Sequence, residues 1–199
     1  PNAPRRPPQG GHRRNGSQTW GKNMADNAQP QPTVVALRYA GIRAHTDALA
    51  AALTPEDQCV QSMPDASPTK WHCAHTTWFF EQFVLDDVIP GNRVFDSDFR
   101  FLFNSYYEAE GPRHARVARG MLARPSLDEI RDWRAHVDAA MEPLLEREEL
   151  APLIELGIAH EQQHPELLLT DVKHAFAQNP LGPALFAPPQ PGPAHCQPV

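Results

Sequence analysis

The sequence predicts an all-α fold: a four-helix bundle with one long crossover connection and disordered, Pro-rich ends. Three observations predict it. Four segments of roughly twenty residues keep apolar side chains at three-to-four spacing, the period of a helix with one buried face. No segment alternates apolar and polar residues as a half-buried strand does, and no internal repeat is present. Thirteen of the 22 prolines fall outside residues 33–179, six in Pro1–Pro32 and seven in Pro180–Val199.

The first helix is expected over roughly 33–53, where Val34/Val35, Tyr39, Ile42, Thr46, Leu49 and Leu53 keep the helical period. Ser67-Pro68 reads as an N-cap followed by proline at the first helical position, opening a second helix toward Val88 that Pro90-Gly91 stops. Residues 91–125 hold no long period and read as the crossover, aromatic and Arg-rich with short turns. Ser126-Leu-Asp-Glu129 is a capping box for a third helix through Trp133, Val137 and Met141, with a kink expected at Pro143. The fourth helix runs from Leu153 to Phe176 and ends at Asn179-Pro180. The domain is therefore expected over 33–180 as an up-and-down bundle with one crossover.

The ends read differently. The first 22 residues carry Arg5, Arg6, Arg13, Arg14 and Lys22 with no acid and almost no apolar residue. Such a segment buries too little to offset its ordering entropy, so a disordered leader is expected over 1–32. It lacks the apolar core of a secretory signal. Pro188-Pro-Gln-Pro-Gly-Pro193 reads as an extended linker, expected over 181–199.

Composition excludes several functions. The formal charge of −6, from 18 Lys and Arg against 24 Asp and Glu, argues against a nucleic-acid binder. No run of 18 apolar residues predicts a membrane span. Three cysteines, Cys59, Cys73 and Cys196, show no C-x-x-C spacing. They form neither a disulfide framework nor a four-thiolate zinc site, and a cytoplasmic setting is expected.

The histidines point to chemistry. His160 and His164 lie four apart on the fourth helix, in register with Leu153, Leu156 and Leu167, a stripe expected to face the bundle core. Residues at this spacing put their side chains about 6 Å apart, within reach of one ion. Imidazoles are costly to bury unpartnered and repel one another when charged, whereas a divalent metal binds their neutral form. The alternative is a pair of interface histidines hydrogen-bonded to backbone or to Glu161 and Glu166. A third ligand is available on the second helix, in Trp71-His72-Cys-Ala-His75. His75 shares a row with Trp71, Trp78 and Leu85, and His72 with Phe79 and Phe83, so spacing does not choose between them. His45 on the first helix is a weaker candidate.

Several blocks resemble one family closely. Gln61-Ser-Met-Pro-Asp-Ala-Ser-Pro-Thr-Lys-Trp-His-Cys-Ala-His75, Phe101-Leu-Phe-Asn-Ser-Tyr-Tyr-Glu108, Gly111-Pro-Arg-His-Ala-Arg116 and His160-Glu-Gln-Gln-His164 are similar to the N-terminal half of the ergothioneine-biosynthesis sulfoxide synthases. These are members of the DinB-like helical-bundle superfamily, and the resemblance covers residues 34–187. It implies a DinB-like four-helix bundle binding Fe(2+) through the second histidine of the W-H-x-A-H block and both of H-E-Q-Q-H, here His75, His160 and His164. It further implies an O2-dependent, non-heme iron enzyme that joins the sulfur of γ-glutamylcysteine, or cysteine, to the imidazole C2 of hercynine and oxidises that sulfur. Three neutral ligands on one side of an octahedral ion leave the opposite positions for substrates.

The thiol substrate carries carboxylates, and arginine forks match their geometry. In the family two arginines three apart in this block bind the thiol, which implies Arg113 and Arg116, with Arg119 close by. The alternative is a solvated basic loop paired with Glu108 and Glu110. Family members also carry a C-terminal sulfatase-modifying-factor-like domain with further catalytic groups. The present sequence stops in the linker toward it, so no catalytic residue is expected in this chain and the chain alone is expected to be inactive. Pro165, directly after His164, departs from the pattern and removes the helical bond to the Glu161 carbonyl. A free-standing DinB-like metal-dependent thiol transferase and a non-catalytic metal-binding bundle fit the same residues.

Overall fold

The computed structural model describes residues 31–187. Most of the leader expected over 1–32 and most of the linker expected over 181–199 lie outside the described residues. Helix α1 (Val34–Ala51) opens at Thr33, whose hydroxyl accepts from the Ala36 amide. Helix α2 (Thr69–Phe80) begins one residue later than expected, with Pro68 as its N-cap. Ser67 is diverted elsewhere: its amide donates to Asp171 and its hydroxyl accepts from Arg119. The chain stays helical to Val88 through a π-turn, Glu81–Leu85, and the single turn α3 (Asp86–Val88). It then reverses at Gly91, which holds φ 71°.

The crossover carries the short helix α4 (Phe99–Phe103) and two 3-10 turns, Glu108–Glu110 and Arg116–Met121. Helix α5 (Leu127–Met141) starts with the full Ser126/Glu129 capping box. Pro143 does not kink α5. The helix stops at Met141 and a 3-10 turn, Glu142–Leu144, accommodates the proline. Helix α6 (Ala151–Gln178) runs through Pro165 and ends at Asn179, whose extended ψ of 121° precedes Pro180. The four long helices form the expected bundle, and no strand occurs among the described residues. No described helix is long and apolar enough to cross a membrane.

Helix α2 is the centre of the bundle. It packs against α5 and α6 at once, and all twelve of its residues are buried. Trp78, Phe80, Trp133, Ile154 and Ile158 fill the core between these three helices. Gly157 on α6 permits the close approach: a Cβ there would lie 2.5 Å from Phe80 Cε1 and 3.1 Å from Phe79 Cε1. Because Phe80 is fully buried, the ring has nowhere to swing. Gly157→Ala is therefore expected to destabilise the fold. Overpacking costs about 1–3 kcal/mol, against a helix-propensity gain of about 1 kcal/mol. A urea denaturation curve with a higher midpoint for the variant would contradict this packing.

The same layer holds a buried ionic network. Glu161 is fully buried, and its two carboxylate oxygens accept from Arg43 at 3.1 Å and Arg134 at 2.7 Å. Arg43 reaches on to Asp138 at 2.7 Å, and Arg134 to Asp47 at 2.7 Å. Burial raises the pKa of the Glu161 carboxyl, but the two guanidiniums more than reverse it and hold it at about 2. One residue from each of three helices thus meets at Glu161, which pins the rotation of α6 beside its neighbour His160.

Candidate metal centre

Helix α2 contributes His75 and α6 contributes His160 and His164, and one ring nitrogen of each lies within 4.8 Å of the other two. His160 Nε2 and His164 Nε2 are 3.3 Å apart. Two nitrogens bound about 2.1 Å from one ion stand about 3.0–3.4 Å apart at right-angled or tetrahedral openings, so this pair needs little adjustment. His75 donates from Nδ1 to the Phe103 carbonyl at 2.6 Å, which leaves Nε2 with its lone pair. Its ring is held between Trp71 and Trp78, stacked at 4.6 and 5.5 Å between centroids. His160 stacks on Phe79 at 4.7 Å.

Electrostatics favour lone pairs over charge at all three rings. Burial lowers the pKa of His75 well below the usual imidazole value, with His160 adding to the effect. Burial brings His160 to about 4. His164 falls further, through burial and then through His72 and His75. Neutral imidazoles are the form a metal binds. The donor set also fits an ion in another respect. His160 Nε2 and His164 Nε2 face each other at 3.3 Å, and an ion held by both lets both present lone pairs, whereas the buried His160 Nδ1 has no partner.

Of the stripe of Leu153, Leu156 and Leu167 expected to face the core, Leu153 packs against it but Leu156 and Leu167 do not. Leu156 and Leu167 are 58 % and 49 % exposed, whereas Ile154, Gly157, Ile158, Leu168 and Val172 are buried. Helix α6 carries two adjacent apolar rows, and period alone does not say which one packs inward. His160 and His164 belong to the row that borders the core, which is why they are held firmly yet open onto a cavity of about 520 Å³. His45 is exposed on α1 and takes no part.

That cavity is bounded by the three histidines, Trp71, Tyr106, Tyr107, Arg116 and Arg119. Arg116 donates to the Tyr106 hydroxyl at 2.5 Å and to the Asp65 carbonyl. Arg113 does not reach the cavity wall. It is exposed, with its guanidinium 5.8 Å from the Tyr106 ring centroid. Neither arginine pairs with Glu108 or Glu110, and Glu110 binds Arg100 instead. Lys70 donates to the carbonyls of Leu122 and Pro125, a purely structural role in tying the crossover down.

Arg119, which sequence reasoning only set near the others, is the arginine most deeply placed. It is 4 % exposed and its guanidinium lies 3.4 Å from the Trp71 ring centroid. It donates to the hydroxyls of Ser67 and Ser105, while its Nε has no partner. No carboxylate lies within ion-pair distance of it among the described residues. Burial, and then the like charge of Arg116, lower its pKa. A cation so placed is short of an anion. The second residue left open by spacing is His72, which borders the same cavity and packs edge-on against His164 with ring centroids 5.2 Å apart.

The family model described as the DinB superfamily matches residues 38–168. That span holds His75, His160 and His164 together with Arg113, Arg116 and Arg119. No curated protein matches the chain.

Proposed function

The chain belongs to the DinB superfamily, whose members include metal-binding proteins, and from that premise we propose that it is the iron(II)-binding part of an O2-dependent sulfoxide synthase. Its substrates are hercynine and a carboxylate-bearing thiol, γ-glutamylcysteine or cysteine. One observation carries the reading: a buried, acid-free set of three histidines opens on the same cavity as a buried arginine that lacks a counter-charge. The first feature suits a divalent metal and the second suits an anionic substrate.

His75, His160 and His164 would hold the ion. Iron there supplies a redox centre and a positive charge that favours thiolate over thiol. Zinc suits three histidines equally well but has no redox chemistry. The overall change balances without another reductant. The thiol S–H and the imidazole C2–H are lost, a C–S bond forms, one oxygen atom ends on sulfur and the other leaves as water.

The rest of the task falls to the chain. Arg119 and Arg116 bind the substrate carboxylate, and the guanidinium plane of Arg119 is fixed by Trp71 and two serine hydroxyls, so little freedom is lost on binding. The Trp71–His75–Trp78 stack and Phe79 keep water from the rear of the centre and hold the imidazoles in one orientation. Further groups are expected from a partner domain.

The test is thiol binding to protein loaded anaerobically with Fe(II), followed by the thiolate-to-metal absorption. γ-Glutamylcysteine is expected to bind the wild type, and Arg119→Ala to weaken it roughly 10- to 100-fold, the loss of a charge-assisted hydrogen bond of about 1.5–3 kcal/mol. A metal-loaded protein whose spectrum does not respond to the thiol would overturn the substrate assignment. Thiol transfer activity with zinc in place of iron favours the thiol-transferase reading.

A further inference from the structure

Beside the three histidines lies a hydrogen-bonded chain that the proposed chemistry does not use. His164 Nδ1 is 2.9 Å from His72 Nδ1, and His72 Nε2 is 3.1 Å from Asp171 Oδ2. The same carboxylate oxygen accepts from the Ser67 amide at 2.8 Å. His72 is 2 % exposed, so no water competes freely for its ring nitrogens. Asp171 lies on α6, seven residues after His164, and Ser67 immediately precedes the cap of α2. The chain therefore ties together the two helices that bring the histidines to one point.

With both rings neutral, the protons in this arrangement have one consistent placement. A carboxylate only accepts, so His72 donates from Nε2 and must accept at Nδ1. His164 then donates from Nδ1 and keeps the lone pair on Nε2, the nitrogen facing His160. Reversing any link leaves two donors or two acceptors opposed in a buried site. We infer that Asp171 and His72 are positioning residues that fix the tautomer and ring orientation of His164 for metal binding. This rests on the three-histidine metal reading above. It assigns His72 a role that row spacing on α2 cannot reveal, as a neighbour of the centre rather than a ligand.

Outer partners of ligating histidines typically carry 10- to 100-fold in metal affinity. The experiment is a Zn(II) competition titration on the full chain, with the Co(II) absorption spectrum as a second readout. His72→Leu, which removes the acceptor, is expected to weaken Zn(II) by roughly 10- to 100-fold. His72→Asn, which puts an amide oxygen where Nδ1 stood, is expected to recover most of that loss. Both variants should keep the wild-type Co(II) band pattern, because the ligands are unchanged. Equal affinity of His72→Leu and wild type would overturn the inference. So would loss of binding in His72→Leu and His72→Asn as complete as in His164→Ala, since His72 would then be a ligand. Absence of Zn(II) binding by the wild type would instead remove the metal reading itself.

Discussion

His164→Ala is expected to reduce bound metal from about one ion per chain to background after anaerobic reconstitution with Fe(II), read by elemental analysis. His75→Ala and His160→Ala are expected to do the same. Three neutral ligands are already fewer than a structural zinc site uses, and a structural site normally has four. Two remaining imidazoles on one side of an ion leave it mostly hydrated and easily lost. His45→Ala supplies the control: the residue is exposed on α1, and its removal should leave metal content unchanged. A wild type that takes up no more metal than His164→Ala would remove the centre and the proposed chemistry with it.

Glu161→Gln is expected to cost about 3–5 kcal/mol of stability, a large part of what a domain of this size possesses. The change is nearly isosteric, so it creates no cavity. It leaves Arg43 and Arg134, 3 % and 4 % exposed, without the carboxylate both of them bind. Urea denaturation should show a lower midpoint with little change in slope. Replacing Arg43, Glu161 and Arg134 together by apolar residues of similar size is expected to cost less than the single change, because no uncompensated charge then remains buried. A cost under 1 kcal/mol for Glu161→Gln would show that water or another group compensates the two cations. The network also sets the site: Glu161 follows His160 in α6, so loosening it is expected to weaken metal binding as well.

The bundle was legible in the chain because its helices announce themselves locally. The Ser126/Glu129 box caps backbone groups within three residues, and Asn179-Pro180 ends α6 by sterics alone. Where distant partners intervene, local reading slips. Ser67 looks like the cap of α2, yet its amide and hydroxyl are taken by Asp171 and Arg119, 104 and 52 residues away. Pro143 looks like a kink, but α5 ends at Met141 and a 3-10 turn carries the proline while Leu144 still packs into the core.

The candidate site was legible in part. The pairing of His160 with His164 is a matter of helical pitch, and both belong to the cluster. The choice between His72 and His75 could not come from spacing, because α2 is buried all round and each of its rows looks like a core row. The two histidines differ only in what faces them: the Phe103 carbonyl fixes His75, while Asp171 and His164 hold His72. Arg113, Arg116 and Arg119 are equally spaced, so period again ranks none of them. In the fold Arg119 is buried against Trp71 and Arg113 is exposed.

From the order of residues alone follow four helices, their ends, a crossover, and imidazoles at one-turn spacing, since each depends on contacts within a few positions. Packing decided which side of α6 is the core side and which arginine reaches the cavity. Those outcomes depend on burial against other helices and on hydrogen-bond partners far away along the chain, and neither is encoded in a periodicity.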